Sequence, residues 1–475
     1  MSNHIVVLGA GPGGLSAAWK LARAGKTVTV LEKETVIGGL ARTFSHEGFR
    51  FDYGPHAFNI DVPQVIEEMK GLLGPELVQK TFQAKVVFRN RFVNYPLRGV
   101  DVFTSINPLL GALCVVDFAL TRLRHRISPR PDTDNFKTWV THRFGKTLYG
   151  IYFGPYTKKV WGRDPEQLSG VFASQRVPVL HLWDLIMRTL LGRRGGSHRH
   201  DDYVNVAYYP RRGIGQICEA LGEEVTARGG KILTGVEVLA VRTEQDTVRE
   251  VCLRRGGQPE ALSCDFLIST IPVRDFVPLL DPPAPSEVRE AADGMHYRAA
   301  RLMYLLVDRE KVSGTPWIYF SNPDVIFNRI YEIRCFSPDM TPAGKTALCA
   351  EITCDPGDAT WDAREEELLP QVLGPLERAG LIKPDQVYSS FTRRVPYAYP
   401  IYEVGFDTRM RLIMSHLNPV PNLLVYGRQG LFTYTNTNHS IEMGFRAAAY
   451  ADTYLSGETV EKHKADLFSD YTVGY

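Results

Sequence analysis

The chain has 475 residues, 44% hydrophobic and 23% charged, which excludes a wholly disordered or collagen-like protein and calls for more than one hydrophobic core. Lys and Arg total 55 against 53 Asp and Glu, and a formal charge of +2 gives no reason to expect nucleic acid as a partner. Seven cysteines are scattered without a CxxC pair, so neither a metal signature nor a disulfide framework is present and a reducing cytoplasm is expected. The opening MSNHIVVLGAG runs into a strand where a signal peptide would need basic and apolar regions, which predicts a soluble protein working where it is made.

The first informative stretch is HIVVLGAGPGGLSAAWKLARAGKTVTVLEKE. Ile5–Leu8 reads as a buried strand, Leu15–Ala24 as a helix, and Val28–Leu31 as the next strand, ending at Glu32. Between strand and helix, Gly9, Gly11 and Gly14 make GxGxxG. Gly9 permits the tight turn, Gly11 leaves room for a diphosphate, and Gly14 lets helix and strand approach. The helix N-terminus favours phosphate, and Glu32 is placed to accept ribose hydroxyls, which argues against a 2'-phosphate. Strand, turn, helix, strand and terminal acid in this order predict a dinucleotide-binding fold.

Two apolar stretches follow, Pro108–Leu123, interrupted by Asp117, and Leu180–Arg194, which closes on arginines. Both fall short of the roughly 20 residues of a spanning helix. They predict helices packed within or between domains, and peripheral membrane contact stays open because an apolar face and a cationic flank act together there. A basic, flexible loop is expected at 192–202, and a glycine turn and helix at 208–230. Strands are predicted at Ile232–Val241, Val248–Leu253 and Cys264–Pro272, then in LMYLLV, TPWIYF, DVIFNRIYEI and KTALCAEITC as an antiparallel sheet over the cofactor. Near the end, Leu423–Tyr426 reads as a strand, Gly427–Gly430 as a constrained turn, and Ser440–Leu455 as a helix capped by His439 or Asn438. HKADLFSDYTVGY reads as a surface tail or a short terminal helix.

EKETVIGGLARTF, with Gly38, Gly39 and Arg42 just beyond Glu32, resembles the extended signature of the flavoprotein class of amine oxidases, protoporphyrinogen oxidases and phytoene desaturases. The resemblance implies FAD, bound non-covalently because no His or Cys occupies a recognisable attachment motif. It implies that Gly38 and Gly39 approach the cofactor and that Arg42 lies near its diphosphate and flavin. It further implies an α/β fold: a Rossmann-like FAD-binding domain assembled from interrupted segments, and a mixed sheet-and-helix substrate domain. The FAD-binding segments are placed at 1–91, 203–279 and 415–457, the mainly helical substrate region at 92–200, the antiparallel-sheet substrate domain at 280–414, and a tail at 458–475. The class has a YPxGG-like turn where this chain reads Pro210-Arg211-Arg212-Gly213-Ile214-Gly215, so that motif is weakened. Around the last helix the resemblance places Gly427, Arg428 and Gly430 near the cofactor, with Ile441, Glu442 and Met443 as further candidates.

Several internal stretches are similar to UDP-galactopyranose mutases: FRFDYGPHAFNI, FGKTLYGIYFGPYTKKVWGRDPEQLS, VIFNRIYEIRCF and RRVPYAYPIY. They single out His56, Arg329 and Tyr399 as catalytic candidates. His56 suits proton movement beside the flavin, or the capping of a turn. Arg329 suits a substrate diphosphate, or a structural pair with Glu332 or Glu351. Tyr397, Tyr399 and Tyr402 suit a base or sugar, although one alternating strand cannot aim all three alike. Arg176 is a substitute for a second diphosphate-binding arginine, and Lys158–Trp161 reads as scaffold or as catalytic apparatus. The expected function is transfer of two electrons from an organic small molecule to flavin N5, with the electron acceptor left open. The alternative is isomerisation of a nucleotide sugar through a reduced-flavin N5 adduct. The substrate is correspondingly an organic molecule, phosphorylated or a nucleotide sugar in the second case.

Overall fold

Short β-branched runs give the chain its first sheet. In the computed structural model, which describes residues 3–88, 91–95, 108–127, 135–176, 205–458 and 463–472, His4–Leu8 lies between Thr27–Leu31 and Phe266–Ser269. Lys231–Leu233 and Leu423–Val425 complete a parallel five-stranded sheet at its two edges. Parallel strands need cover on both faces, and four of the five residues of His4–Leu8 are buried. Helices Pro12–Arg23 and Thr437–Leu455 pack on each other through small residues. A Cβ on Gly444 would lie 2.0 Å from Ser16 Oγ and 2.5 Å from the Gly13 carbonyl, so only glycine admits this approach.

These elements belong to one of two compact units, formed by residues 1–79, 207–296 and 406–475. The same unit carries a sheet of Gln258–Ser263, Thr247–Arg255, Val236–Glu244 and Leu280–Asp281. Its outermost long strand, Gln258–Ser263, carries a weak apolar signal in the sequence: four of its six positions are exposed, two are half-buried and none is buried.

The second unit comprises 80–206 and 297–405. Its seven-stranded sheet runs Val387–Pro400, Tyr297–Val307, Thr346–Cys354, Arg329–Glu332, Trp317–Phe320, Ala84–Phe88 and Arg91–Tyr95. Pairing is antiparallel except between Trp317–Phe320 and Ala84–Phe88. Every residue of Tyr297–Val307 and of Thr346–Cys354 is buried. Helix Glu365–Arg378 lays Leu368, Val372 and Leu376 into the core with Met303, Leu305 and Leu348. The four anticipated strands are therefore present, that in DVIFNRIYEI only over Arg329–Glu332, and the antiparallel pair Ala84–Phe88 and Arg91–Tyr95 extends their sheet. Pro108–Leu123 lies within a helix, Pro108–Ile127, with Phe118 set against Phe144 at 6.4 Å between centroids. Residues 177–204, which hold the apolar stretch at 180–194 and the basic loop at 192–202, lie outside the described residues. The α/β class with an interrupted Rossmann-like domain is as expected.

Two local expectations are corrected at the C-terminal end. The last helix begins at Thr437, and its N-cap is Asn436, with His439 at the third helical position completing a capping box. The cap is therefore neither Asn438 nor His439. Residues 463–472 are not a surface tail, and their helical content is one 3-10 turn, Lys464–Asp466. Leu467 and Phe468 are buried, Phe468 stacks on Tyr426 at 5.2 Å, and Arg446 pairs with Asp470 at 2.8 Å. Tyr471 donates its hydroxyl to Glu442.

Candidate cofactor and active site

The three glycines of the first turn do different jobs. Gly9 has φ +96°, and a Cβ there would meet Thr270 Oγ1 at 2.6 Å; a Cβ on Gly14 would lie 2.0 Å from the Gly9 carbonyl oxygen. Gly11 has open space within 4 Å of its Cβ position. Two glycines therefore serve the fold, and the third leaves room beside the N-terminus of Pro12–Arg23. That helix has Gly11 as N-cap, with no side-chain cap, so its first-turn N–H groups keep their capacity for an anion.

Glu32 is buried at the end of the second strand, where it accepts the N–H of Ala10 at 2.8 Å and of Glu34 at 2.9 Å. Gly38, at φ +109°, donates its N–H to Ala10 O at 2.8 Å, and a Cβ on Gly39 would lie 3.4 Å from Gly11 Cα. The second glycine pair is thus brought against the first turn. Arg42 lies 4.1 Å from the Tyr53 ring centroid and 3.7 Å from Glu34. Its buried Nε has no hydrogen-bond partner among the described residues. A buried guanidinium donor without an acceptor, beside an empty-sided glycine and an open helix N-terminus, fits a dinucleotide diphosphate.

Gly427, at φ +88°, opens the expected constrained turn, which takes the form of a single helical turn, Gly427–Gly430. Arg428 donates to Thr435 O at 2.7 Å and lies 4.3 Å from the Tyr434 ring centroid. Gly13 joins the two ends of the chain: its carbonyl accepts the Tyr426 hydroxyl at 2.8 Å, and a Cβ there would lie 3.3 Å from Ser440 O. Ile441 and Met443 are fully buried, and Glu442 is bound by Arg446 at 2.7 Å. Their side chains are committed to packing and pairing. With Asn436 and His439 in the capping box and the Ser440 N–H on Asn436 O, the N–H groups of this helix start without a partner among the described residues are those of Thr437 and Asn438.

His56 is half-buried in the loop between Phe49–Asp52 and Phe58–Asn59, behind Gly54 and Pro55. The sequence reading missed its neighbour Asp52. This carboxylate accepts from the Thr43 hydroxyl at 2.6 Å, the Tyr209 hydroxyl, and the Ile214 N–H at 3.2 Å. A Cβ on Gly213 would lie 2.9 Å from it, which explains the glycine retained in the departed turn. The only sequence signal was an acid ending a short strand next to the buried Phe49 and Phe51. Burial pushes Asp52 up to about 6, against the hydrogen bonds that pull it down.

A raised folded pKa means that Asp52 stabilises the fold most below its ordinary 3.8, and that this contribution disappears as pH rises through about 6. Between those limits, denaturant titration should show the stability difference between wild type and Asp52→Asn shifting against wild type by up to about 3 kcal/mol as pH rises. A pH-independent difference would refute the shift.

In the second unit, strand register sets Arg329 opposite Glu351. Arg329 donates from Nε at 2.9 Å and Nη2 at 2.6 Å to Glu351 Oε2, and from Nη2 to the Tyr399 hydroxyl at 3.0 Å. Tyr399 and Asn328 donate to Glu351 Oε1 at 2.8 and 3.0 Å. Burial pushes Glu351 up, but Arg329 and these hydrogen bonds outweigh it and hold the carboxyl below its usual range. Glu332, the other acid open to Arg329, instead accepts the N–H groups of Val312, Ser313 and Gly314.

Of the three tyrosines, Tyr399 joins Arg329, Tyr397 packs edge-on against Tyr297 at 5.1 Å, and Tyr402 is buried 5.7 Å from Phe172. Trp161 packs edge-on against Tyr399 at 6.0 Å. Lys159 donates to Phe320 O and Asn322 O at 2.7 and 2.9 Å, and burial pulls it down to about 7. Arg176 ends helix Gly170–Arg176, and its side chain lies outside the described residues. The structure thus groups Gly9, Gly11, Gly14, Glu32, Gly38, Gly39 and Arg42 in the first unit, and Arg329 with Tyr399 in the second.

A parallel sheet with this glycine turn, terminal acid and second glycine pair defines a flavin-dinucleotide enzyme. The family described as "Flavin containing amine oxidoreductase" matches residues 12–451, and the chain belongs to it. It is an FAD-dependent enzyme. It is similar to the phytoene dehydrogenase of Streptomyces griseus, 24% identical over 412 residues covering 79% of this chain and 78% of that protein. It is also similar to the probable UDP-galactopyranose mutase of Klebsiella pneumoniae, 25% identical over 476 residues covering 96% and 95%. A crystal structure of reduced UDP-galactopyranose mutase superposes with a TM-score of 0.83 at 22% identity, covering both chains completely.

Proposed function

We infer that this protein oxidises an organic small molecule, using non-covalently held FAD as the two-electron acceptor. When bound, FAD supplies an acceptor of two electrons at N5 and passes them on to a second substrate. The residues of the chain hold and tune. Gly11 leaves the space for the diphosphate, Arg42 Nε and the first-turn N–H groups of Pro12–Arg23 meet its charge, and Glu32 accepts from the ribose. The first turn of Thr437–Leu455 offers N–H groups and a positive dipole end for the pyrimidine side. His56 is assigned the movement of a proton at its imidazole nitrogens.

The observation that carries oxidation over isomerisation is the Arg329–Glu351 pair. A guanidinium with two nitrogens on a buried carboxylate is largely neutralised, which disfavours its use as the main clamp for a substrate diphosphate. A second reading, isomerisation of a nucleotide sugar, is favoured by the meeting of Arg329 with Tyr399 and by likeness to the mutases along the whole chain.

Anaerobic mixing with a panel of amines, polyenes, porphyrinogens and sugar derivatives separates them. Oxidation predicts loss of flavin absorbance and a product lighter by two hydrogens, and His56→Ala should slow this step more than it lowers FAD content. If turnover instead requires dithionite-reduced protein and leaves substrate mass unchanged, the isomerase reading replaces it. In that case Arg329→Ala should weaken UDP binding, with partial rescue by Arg329→Lys.

A further inference from the structure

Helix Pro108–Ile127 carries an outward stripe of exposed apolar side chains. Leu109, Leu113, Val116, Leu120, Leu123 and Ile127 recur every three or four residues along it and are each between 46% and 76% exposed. Exposed large apolar side chains scattered singly are ordinary, but six on one helical line form a patch of the kind that marks an interaction surface. The opposite face is fixed to the protein. Phe118 is buried against Phe144, and Asp117 accepts the Thr147 N–H at 2.7 Å.

Charge selects the occupant. Asp117 is the helix's one acid and is turned inward to that backbone, whereas Arg122, Arg124 and Arg126 are all exposed in its last turns. An apolar stripe with only cations on its accessible side matches the boundary of an anionic bilayer, where the stripe enters the acyl region and arginines reach the headgroups. A second copy of this helix matches poorly: zipped along the same line, Arg124 and Arg126 would flank the seam on both copies with no acid opposite. Among the described residues no helix is long and apolar enough to cross a membrane, so the contact is in the plane of the surface.

We propose that the outward face of Pro108–Ile127 is a docking surface for anionic lipid bilayers, independent of which reaction the protein catalyses. The test is flotation of the purified holoprotein with phosphatidylcholine vesicles, with and without phosphatidylglycerol. Wild type should float with the anionic vesicles at least about 10-fold more than with neutral ones, and less so in high salt. Leu113→Asp with Leu120→Asp should abolish flotation. Arg124→Glu with Arg126→Glu, both exposed and harmless to the fold, should remove only the preference for phosphatidylglycerol. Each variant is compared at equal flavin content and unchanged thermal unfolding. Absence of flotation in wild type, or flotation that survives both double variants, overturns the proposal. So does a concentration-dependent dimer, seen by sedimentation velocity, that the two leucine substitutions dissociate while vesicles capture nothing.

Discussion

Gly11→Val should yield a folded protein almost without flavin, whereas Gly14→Ala should lose fold stability itself. The two positions are three residues apart, but the first has empty space where a side chain would go and the second has the Gly9 carbonyl at 2.0 Å. A branched side chain at Gly11 therefore takes up the volume proposed above for the diphosphate, and the flavin-to-protein absorbance ratio should fall by about 10-fold or more. At Gly14 a single methyl must push strand and helix apart, at a cost of about 3 kcal/mol or more. Denaturant unfolding of both variants, with mass analysis of what denatured wild type releases, checks the pair. Normal FAD content in Gly11→Val would refute the cradle, and recovery of a covalent flavin adduct would refute non-covalent binding.

Removing Glu351 should be more damaging than removing the whole ion pair. Glu351 is 2% and Arg329 16% exposed at the side chain. Glu351→Ala leaves a guanidinium, Tyr399 and Asn328 without their shared acceptor, and stability should drop by about 3–5 kcal/mol. Replacing both partners with apolar residues, Arg329→Met with Glu351→Leu, should recover most of that loss. The pH dependence runs opposite to that of Asp52. A carboxyl held below its ordinary 4.5 stabilises the fold above that pH, and the contribution is lost as pH falls through the depressed folded value. Equal unfolding free energies for the single and double variants would show that the pair is not energetically coupled.

The proposed cofactor cradle could be read in the sequence because its parts are neighbours along the chain. Gly9, Gly11, Gly14 and Glu32 fall within one strand–helix–strand passage, and the steric job of each glycine follows from its place in that passage. Asp52 was not legible, since Tyr209 and Ile214 lie 157 and 162 residues away in sequence. Arg329 was half legible. Its two candidate acids could be named, but only the register of Arg329–Glu332 on Thr346–Cys354 turns it to Glu351 while the loop at 312–314 takes Glu332. The buried residues 467 and 468 escaped notice because two isolated apolar side chains carry no periodicity.

The order of strands in the parallel sheet also has a consequence for how the protein is made. Gly9 to Gly14 leave the ribosome well before Thr270, Tyr426 and Ser440, which wall the turn they form. At about 5–20 residues per second, those walls arrive on the order of tens of seconds later. Until then His4–Leu8 and Thr27–Leu31, with only helix Pro12–Arg23 to cover them, leave apolar surface exposed and lack the walls of a receptor for FAD. Cofactor capture therefore waits for the segment that carries Tyr426 and Ser440, and the yield of holoprotein in an overexpressing cell should follow the flavin pool available once that segment has folded.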